Sequence, residues 1–355
     1  MGKPSLRDLA GREQDLARHA VSENTHSAYA VALRSFLDFT QAYSEIKEPI
    51  TEPTVRLWLT HLATVKKLSP KSVHSYFSSL KYHWENLGGD RSDLDDNDRI
   101  DRIIKGIART ADTSKRTNQK QEPLTAELFW TAVATTYPAG LPRDYQATLQ
   151  LAAITMGIFG VFCPGEFLTT SGKRQRPEAI LRLQQLSLTL ERFDDGKRSS
   201  CAAPATSSIP TGHRIVALNV HLNCSKTDQL KAGADVTIAD SGAIRLITDY
   251  LKLHPRKNSL DAQAFVHQDM TPMTSNQLTS AIRTLLDQAG VADHERYTGR
   301  SLRKGGAQTL LDNGDTLQSI GHAGRWTNTV TPSRYYVKHS SASKIHAAQR
   351  MTPRS

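Results

Sequence analysis

Cysteine, acidic residues and unbroken apolar stretches are all in short supply in this sequence. Its three cysteines, Cys163, Cys201 and Cys224, are an odd number spread over 355 residues, with no Cys-x-x-Cys pair and no Cys/His pairing at ligand spacing. That excludes a disulfide framework and indicates no zinc site, so all three are expected as reduced thiols. No stretch approaches the ~18 consecutive apolar residues of a membrane span. Met1 to Ala20 is polar and charged, unlike a secretory signal. The expectation is an intracellular protein with no membrane partner, nuclear if its host is eukaryotic. Lys and Arg number 45 against 35 Asp and Glu, a formal charge of +10. Such a surplus favours a polyanionic partner, although composition alone does not choose between nucleic acid and an acidic membrane surface.

A chain of this length has room for two domains, each with its own core. From Asn24 to Phe39, Tyr29, Leu33, Phe36 and Leu37 recur at helical spacing. A second amphipathic helix is expected over Thr51–Val65, with Val55, Trp58, Leu59 and Leu62 on one face. A third runs over Pro70–Leu87, started by Ser69 as cap and Pro70 in the first turn. A fourth, about Asp98–Ala108, completes a small bundle whose exposed faces carry Arg34, Lys66, Lys67, Lys71, His74 and Lys81. Apolar periodicity then stops from Arg109 to Glu122, a polar and basic stretch that reads as the domain boundary.

Beyond it, helices are expected at Thr125–Thr135, Asp144–Gly160, Gly242–Leu253, Ser275–Ala289 and Ser301–Asn313, the last ended by Asn313-Gly314. Strands are expected at Ile215–Leu222 and Asp235–Ala239, flanking a turn from Asn223 to Gly233. Ser171–Gly212 is rich in Arg, Ser and Pro, with an insertion loop around Asp194–Gly212. The expected organisation is a flexible terminus (1–20), a helical domain (21–108), a basic linker (109–122), a mixed domain (123–345) and a tail (346–355). The fold class is mainly α, a helical bundle followed by an α+β domain with a small antiparallel sheet.

Four separated stretches fall into one pattern: Phe159-Gly-Val-Phe-Cys-Pro-Gly-Glu-Phe-Leu168, Ser225-Lys-Thr-Asp228, Thr298-Gly-Arg-Ser-Leu-Arg-Lys-Gly-Gly-Ala307, and Ala323-Gly-Arg-Trp-Thr-Asn328 leading to Tyr335-Tyr336. In order and spacing they resemble the catalytic domain of the tyrosine site-specific recombinases. The likeness is greatest to Cre-like enzymes and to those of eukaryotic mobile elements of the Crypton and DIRS type. The resemblance implies a core-binding helical domain ahead of the catalytic one, duplex DNA as partner, and dimers or tetramers assembled on it through the segment Lys338–Ser355. It implies no metal and no small-molecule cofactor, because a tyrosine forms a 3′-phosphotyrosine and conserves the bond energy.

On this resemblance Tyr335, nine positions after Trp326, is the nucleophile and Tyr336 is out of register. Trp326 orients the phosphate, Lys226 is the general acid on a β-turn, Arg303 braces the phosphate and Glu166 supports the site from behind. Each has a plainer reading: Tyr335 as an anchoring aromatic, Trp326 as core, Lys226 as a solvated turn residue, Glu166 as structural. His322, in Ile320-Gly-His322, has Thr331 nine positions on and reads as a surface or structural residue. Two positions depart from the family pattern. Cys163 stands where members carry the first arginine, and Arg300 where they carry a histidine. A thiol offers no charged fork to a phosphate, and a guanidinium accepts no proton. The function expected is recombinase or integrase with weakened catalysis; the alternative is a DNA-binding or architectural protein derived from one.

Overall fold

Short polar side chains that accept a backbone N–H begin most helices of this chain. Ser69 Oγ accepts from the Ser72 N–H at 3.2 Å, Asn97 Oδ1 from those of Arg99 and Ile100 at 3.0 and 3.2 Å, and Asp144 Oδ1 from that of Ala147 at 2.8 Å. The computed structural model describes residues 5–19, 21, 23–48, 50–95, 97–111, 121–169, 180–194, 197–223, 233–326, 328 and 330–333. The chain divides into two units, Met1–Asn118 and Gln119–Ser355.

The first unit holds α1 (Leu6–His19), α2 (Glu23–Ala42), α3 (Glu52–Thr64), α4 (Pro70–His83) and α5 (Asp98–Thr110). Phe36, Trp58, Leu59, Leu62, Leu80, Trp84 and Ile100 close its core. The Phe36 and Trp58 rings meet edge to face at 5.4 Å, and the Trp84 indole N–H donates to the Asp90 carbonyl at 2.9 Å. The terminus, where the sequence suggests no helix, carries α1, whose Leu6, Leu9 and Leu16 are exposed. Local bonding at its start supports it: Ser5 Oγ accepts from the Asp8 N–H while the Ser5 N–H donates to the Asp8 carboxylate, both at 3.1 Å. Lys81 is half-buried rather than exposed, because its ammonium pairs with Asp95 at 2.9 Å and lies over the Phe77 ring. Arg34, Lys66, Lys67, Lys71 and His74 are exposed.

The second unit comprises α6 (Ala126–Thr136), α7 (Tyr145–Phe159), β1 (Leu186–Asp194), β2 (Lys197–Pro204), β3 (His213–Leu222), β4 (Ala234–Ile238), α8 (Ser241–Leu253), α9 (Ser275–Gln288), α10 (Gly299–Asp312) and α11 (Leu317–Ala323). The sheet is antiparallel with order β2-β1-β3-β4. Leu188 stands opposite Ala203 on one side and Leu218 on the other, and Leu218 opposite Ile238. The insertion loop expected around Asp194–Gly212 is therefore wrong over Lys197–Pro204, which is an edge strand. Its sequence, Lys-Arg-Ser-Ser-Cys-Ala-Ala-Pro, has no β-branched or aromatic residue, and pairing with β1 holds it in place. β1 itself alternates Leu186, Leu188 and Leu190 inward with polar residues between, a period-2 signal that composition hid.

What positions the site is the seat of α10. A Cβ on Gly305 would lie 1.7 Å from the Leu124 carbonyl oxygen, and one on Gly306 2.2 Å from that of Ile158. Only glycine lets α10 press against the segment before α6 and the last turn of α7. The Leu124 N–H donates to the Ser301 carbonyl at 3.0 Å across the same contact. Among the described residues no helix is long and apolar enough to cross a membrane.

Gly305→Ala is expected to destabilise the second unit by about 3 kcal/mol, since backbone atoms must move. Gly106→Ala, in α5 with open space around it, should stabilise the first unit by about 0.5–1 kcal/mol. Urea unfolding of both variants checks the pair; a neutral Gly305→Ala would mean that α10 is less closely seated.

Candidate active site

The chain leaves α7 through a sharp turn, with Val161 in the left-handed region at φ 50°. The Phe162 N–H donates back to the Gly157 carbonyl at 3.0 Å. A single 3-10 turn, Pro164–Glu166, follows, and the Cys163 N–H donates to Glu166 Oε2 at 2.7 Å. This turn aims the Glu166 carboxylate inward, where its side chain keeps only 8% of its exposure.

Two guanidiniums converge on that carboxylate. Arg303, from the second turn of α10, places Nη1 at 3.2 Å from both carboxylate oxygens. Arg325, just after α11, places Nη2 at 3.1 Å from Oε2. Both arginine side chains are themselves nearly buried, at 9% and 12% exposure. Arg303 Nη2 also donates to the Gly324 carbonyl, and its guanidinium lies 4.7 Å over the Trp326 ring. Arg325 donates to the carbonyls of Gly160, Val161 and Ala323 at 3.1–3.2 Å and sits 4.7 Å over Phe162. Two cations against one carboxylate leave the cluster one positive charge in excess.

Of the residues singled out in the sequence, Cys163, Glu166, Arg303 and Trp326 lie together. Cys163 Sγ accepts from Arg303 Nη1 at 3.4 Å. Burial pushes the Cys163 thiol pKa up, against the opposing pull of Arg303, so it remains a thiol at neutral pH and is a poor nucleophile. Trp326 is half-buried; it packs with Ala307, Ile320 and Leu317 and carries Arg303 on its face. A Cβ on Gly324 would meet the Trp326 ring at 1.9 Å, so any larger residue there displaces that ring. Arg300 is exposed on the first turn of α10, one turn before Arg303. His322 is exposed. Lys226, Tyr335, Tyr336 and the segment Lys338–Ser355 lie outside the described residues.

Arg325 is the residue that sequence reading missed. In the stretch Ala323–Asn328 the resemblance gives Arg325 no role, and the feature that matters is conformational. Arg325 adopts φ 56°, which turns its side chain back beneath Glu166. Burial lowers the Arg325 pKa and Glu166 raises it, yet a guanidinium stays protonated in proteins. Among the described residues no group of three His, Cys, Asp or Glu side chains is placed to hold a metal.

Residues 10–93 match the family described as phage integrase, N-terminal SAM-like domain. The Tn1549 transposon integrase in complex with a circular intermediate DNA matches at 14% identity and TM-score 0.56, covering 96% of this chain and 98% of that one. The XerH site-specific recombinase bound to a palindromic difH substrate matches at 16% identity and TM-score 0.55, over 92% of this chain and 79% of that one. This chain has the tyrosine recombinase fold. In this recombinase fold the Glu166 cluster occupies the seam between the turn after α7 and the two helices α10 and α11. No curated protein sequence matches the chain.

Two outcomes test the site. Glu166→Gln leaves two buried guanidiniums without their counter-charge and should cost about 3–5 kcal/mol in denaturant unfolding. In a Cys224→Ser background, iodoacetamide at neutral pH should label exposed Cys201 roughly tenfold or more faster than Cys163; equal rates would contradict the buried thiol.

Proposed function

We propose that this protein is a recombinase or integrase that binds duplex DNA and breaks and rejoins it through Tyr335, with catalysis weakened at Arg300. The observation that carries the reading is the Glu166 cluster: one carboxylate, two guanidiniums and a tryptophan face, gathered on the tyrosine recombinase fold with one positive charge in excess. Tyr335 Oη, giving up its proton to solvent, attacks the scissile phosphorus and forms a 3′-phosphotyrosine while the 5′ oxygen departs and takes a proton from Lys226. Rejoining reverses both steps, so neither metal nor nucleotide energy enters. Arg303 and Trp326 flank the phosphate, and the cluster's surplus charge meets the charge that grows on the non-bridging oxygens. Arg300 adds a cation at the rim but accepts no proton from the attacking tyrosine, which is where the rate is lost. The exposed cations Arg34, Lys66, Lys67 and Lys71 of the first unit bind the duplex backbone. The protein assembles as dimers or tetramers on DNA.

One observation favours a second reading, a DNA-binding protein without strand cleavage. The Arg303 Nη donors are committed to Glu166 and to the Gly324 carbonyl, and a phosphate must draw one of them away to be clamped.

Incubation with nicked duplexes of randomised sequence separates the two. The first reading expects a covalent adduct that Tyr335→Phe abolishes and Tyr336→Phe leaves, with mass spectrometry placing it on the Tyr335 peptide. Arg300→His should raise the adduct rate by about 10² or more. Tight but wholly reversible binding supports the second reading, and an adduct on Tyr336 refutes the assignment of the nucleophile. In either case affinity should fall about 10³-fold between 50 and 200 mM salt.

A further inference from the structure

We propose that Arg325 is the site's second arginine, a positioning residue that supplies from the segment after α11 the charge the recombinase pattern places at position 163. The catalytic part of this inference rests on the recombinase reading; the electrostatic part does not. The turn Gly160–Glu166 brings no cation of its own, yet it is not left without one. Arg325 reaches it from 159 or more residues away in sequence and takes the Gly160 and Val161 carbonyls and Glu166 Oε2. The Phe162 ring forms the floor beneath its guanidinium. These groups lie within three residues of Cys163 on either side. An arginine side chain thus serves this turn, but its backbone belongs to another part of the chain.

The identity of residue 163 follows from that arrangement. Cys163 Sγ is 3.4 Å from Arg303 Nη1, and the thiol is small and uncharged. It leaves the volume and the counter-charge of Glu166 to two guanidiniums. An arginine at 163 beside Arg325 would set three guanidiniums around one buried carboxylate, an uncompensated charge among nearly buried side chains. Cysteine at 163 is then the complement of arginine at 325 rather than a lesion. The backbone at 325 supports this: a non-glycine residue at φ 56° is uncommon and carries strain, and here the conformation delivers the side chain to Glu166.

The test is a four-protein cycle: the parent, Arg325→Gly, Cys163→Arg, and the double variant. Glycine suits the left-handed backbone at 325, so only the side chain is lost. Two readouts are taken, the urea midpoint of the second unit and the rate of covalent adduct on nicked duplexes of randomised sequence. Each single variant should unfold at lower urea and form adduct about 10²-fold more slowly. The double variant restores two guanidiniums to one carboxylate, and its midpoint and adduct rate should both recover toward the parent. An arginine with a merely structural role would not let cleavage return when the charge is moved to position 163. If Cys163→Arg alone is insoluble, recovery of folded protein in the double variant supports the proposal, and an insoluble double overturns it. Additive losses in the double, with adduct still formed by the parent, overturn the proposal and leave the recombinase reading in place. Coupled midpoints with no adduct from any of the four proteins uphold the shared charge and overturn the catalytic reading instead.

Discussion

A carboxylate held between two buried guanidiniums is the interaction on which the second unit of this protein turns. Glu166 is worth keeping buried only because both arginines are there, and each arginine is tolerated only because of Glu166 and the carbonyls around it. The three residues come from three places: the turn after α7, the second turn of α10 and the segment after α11. Their meeting requires α10 to approach closer than any side chain at 305 or 306 would allow. The glycines, which do no chemistry, therefore determine where the charges stand.

The same geometry sets a tension between holding and acting. Arg303 is stacked on Trp326 and bonded to Glu166 and to the Gly324 carbonyl, so its orientation is fixed in advance. Fixed donors are what a developing negative charge rewards, because none of the reorganisation falls on the reactive step. Fixed donors are also occupied donors. On the proposed recombinase reading, the excess positive charge, shared over two guanidiniums, would let a single phosphate compete with Glu166 for part of the set without stripping the carboxylate of all support.

The helices were legible because their apolar residues recur at helical spacing and their caps are written in Ser, Asn and Asp: Phe36, Trp58 and Leu80 are buried and Ser69 caps α4 as its place before Pro70 suggests. The family pattern, too, could be read from four short stretches. What was not legible had physical causes. α1 buries none of its leucines, so no apolar face advertised it and only a four-residue cap did. β2 is made of small and polar residues and exists through its pairing with β1. Arg325 owes its place to a left-handed backbone, and no periodicity or motif encodes the sign of one dihedral angle. Lysine 81 has the sequence look of a solvent-facing residue, and a neighbouring aspartate, distant by 14 positions, makes it otherwise.

Val161 and Arg325 are both non-glycine residues with positive φ, and they touch: Arg325 Nη2 donates to the Val161 carbonyl at 3.1 Å. Each turn is strained alone, at about 1–3 kcal/mol, and each is held by the other. Neither can relax without releasing its partner, and with it the Glu166 carboxylate. The two turns are thus one opening unit in the native state, though well over a hundred residues separate them along the chain. Amide hydrogens on both would exchange with the solvent together, in a single local event that leaves the sheet and the body of α7 closed.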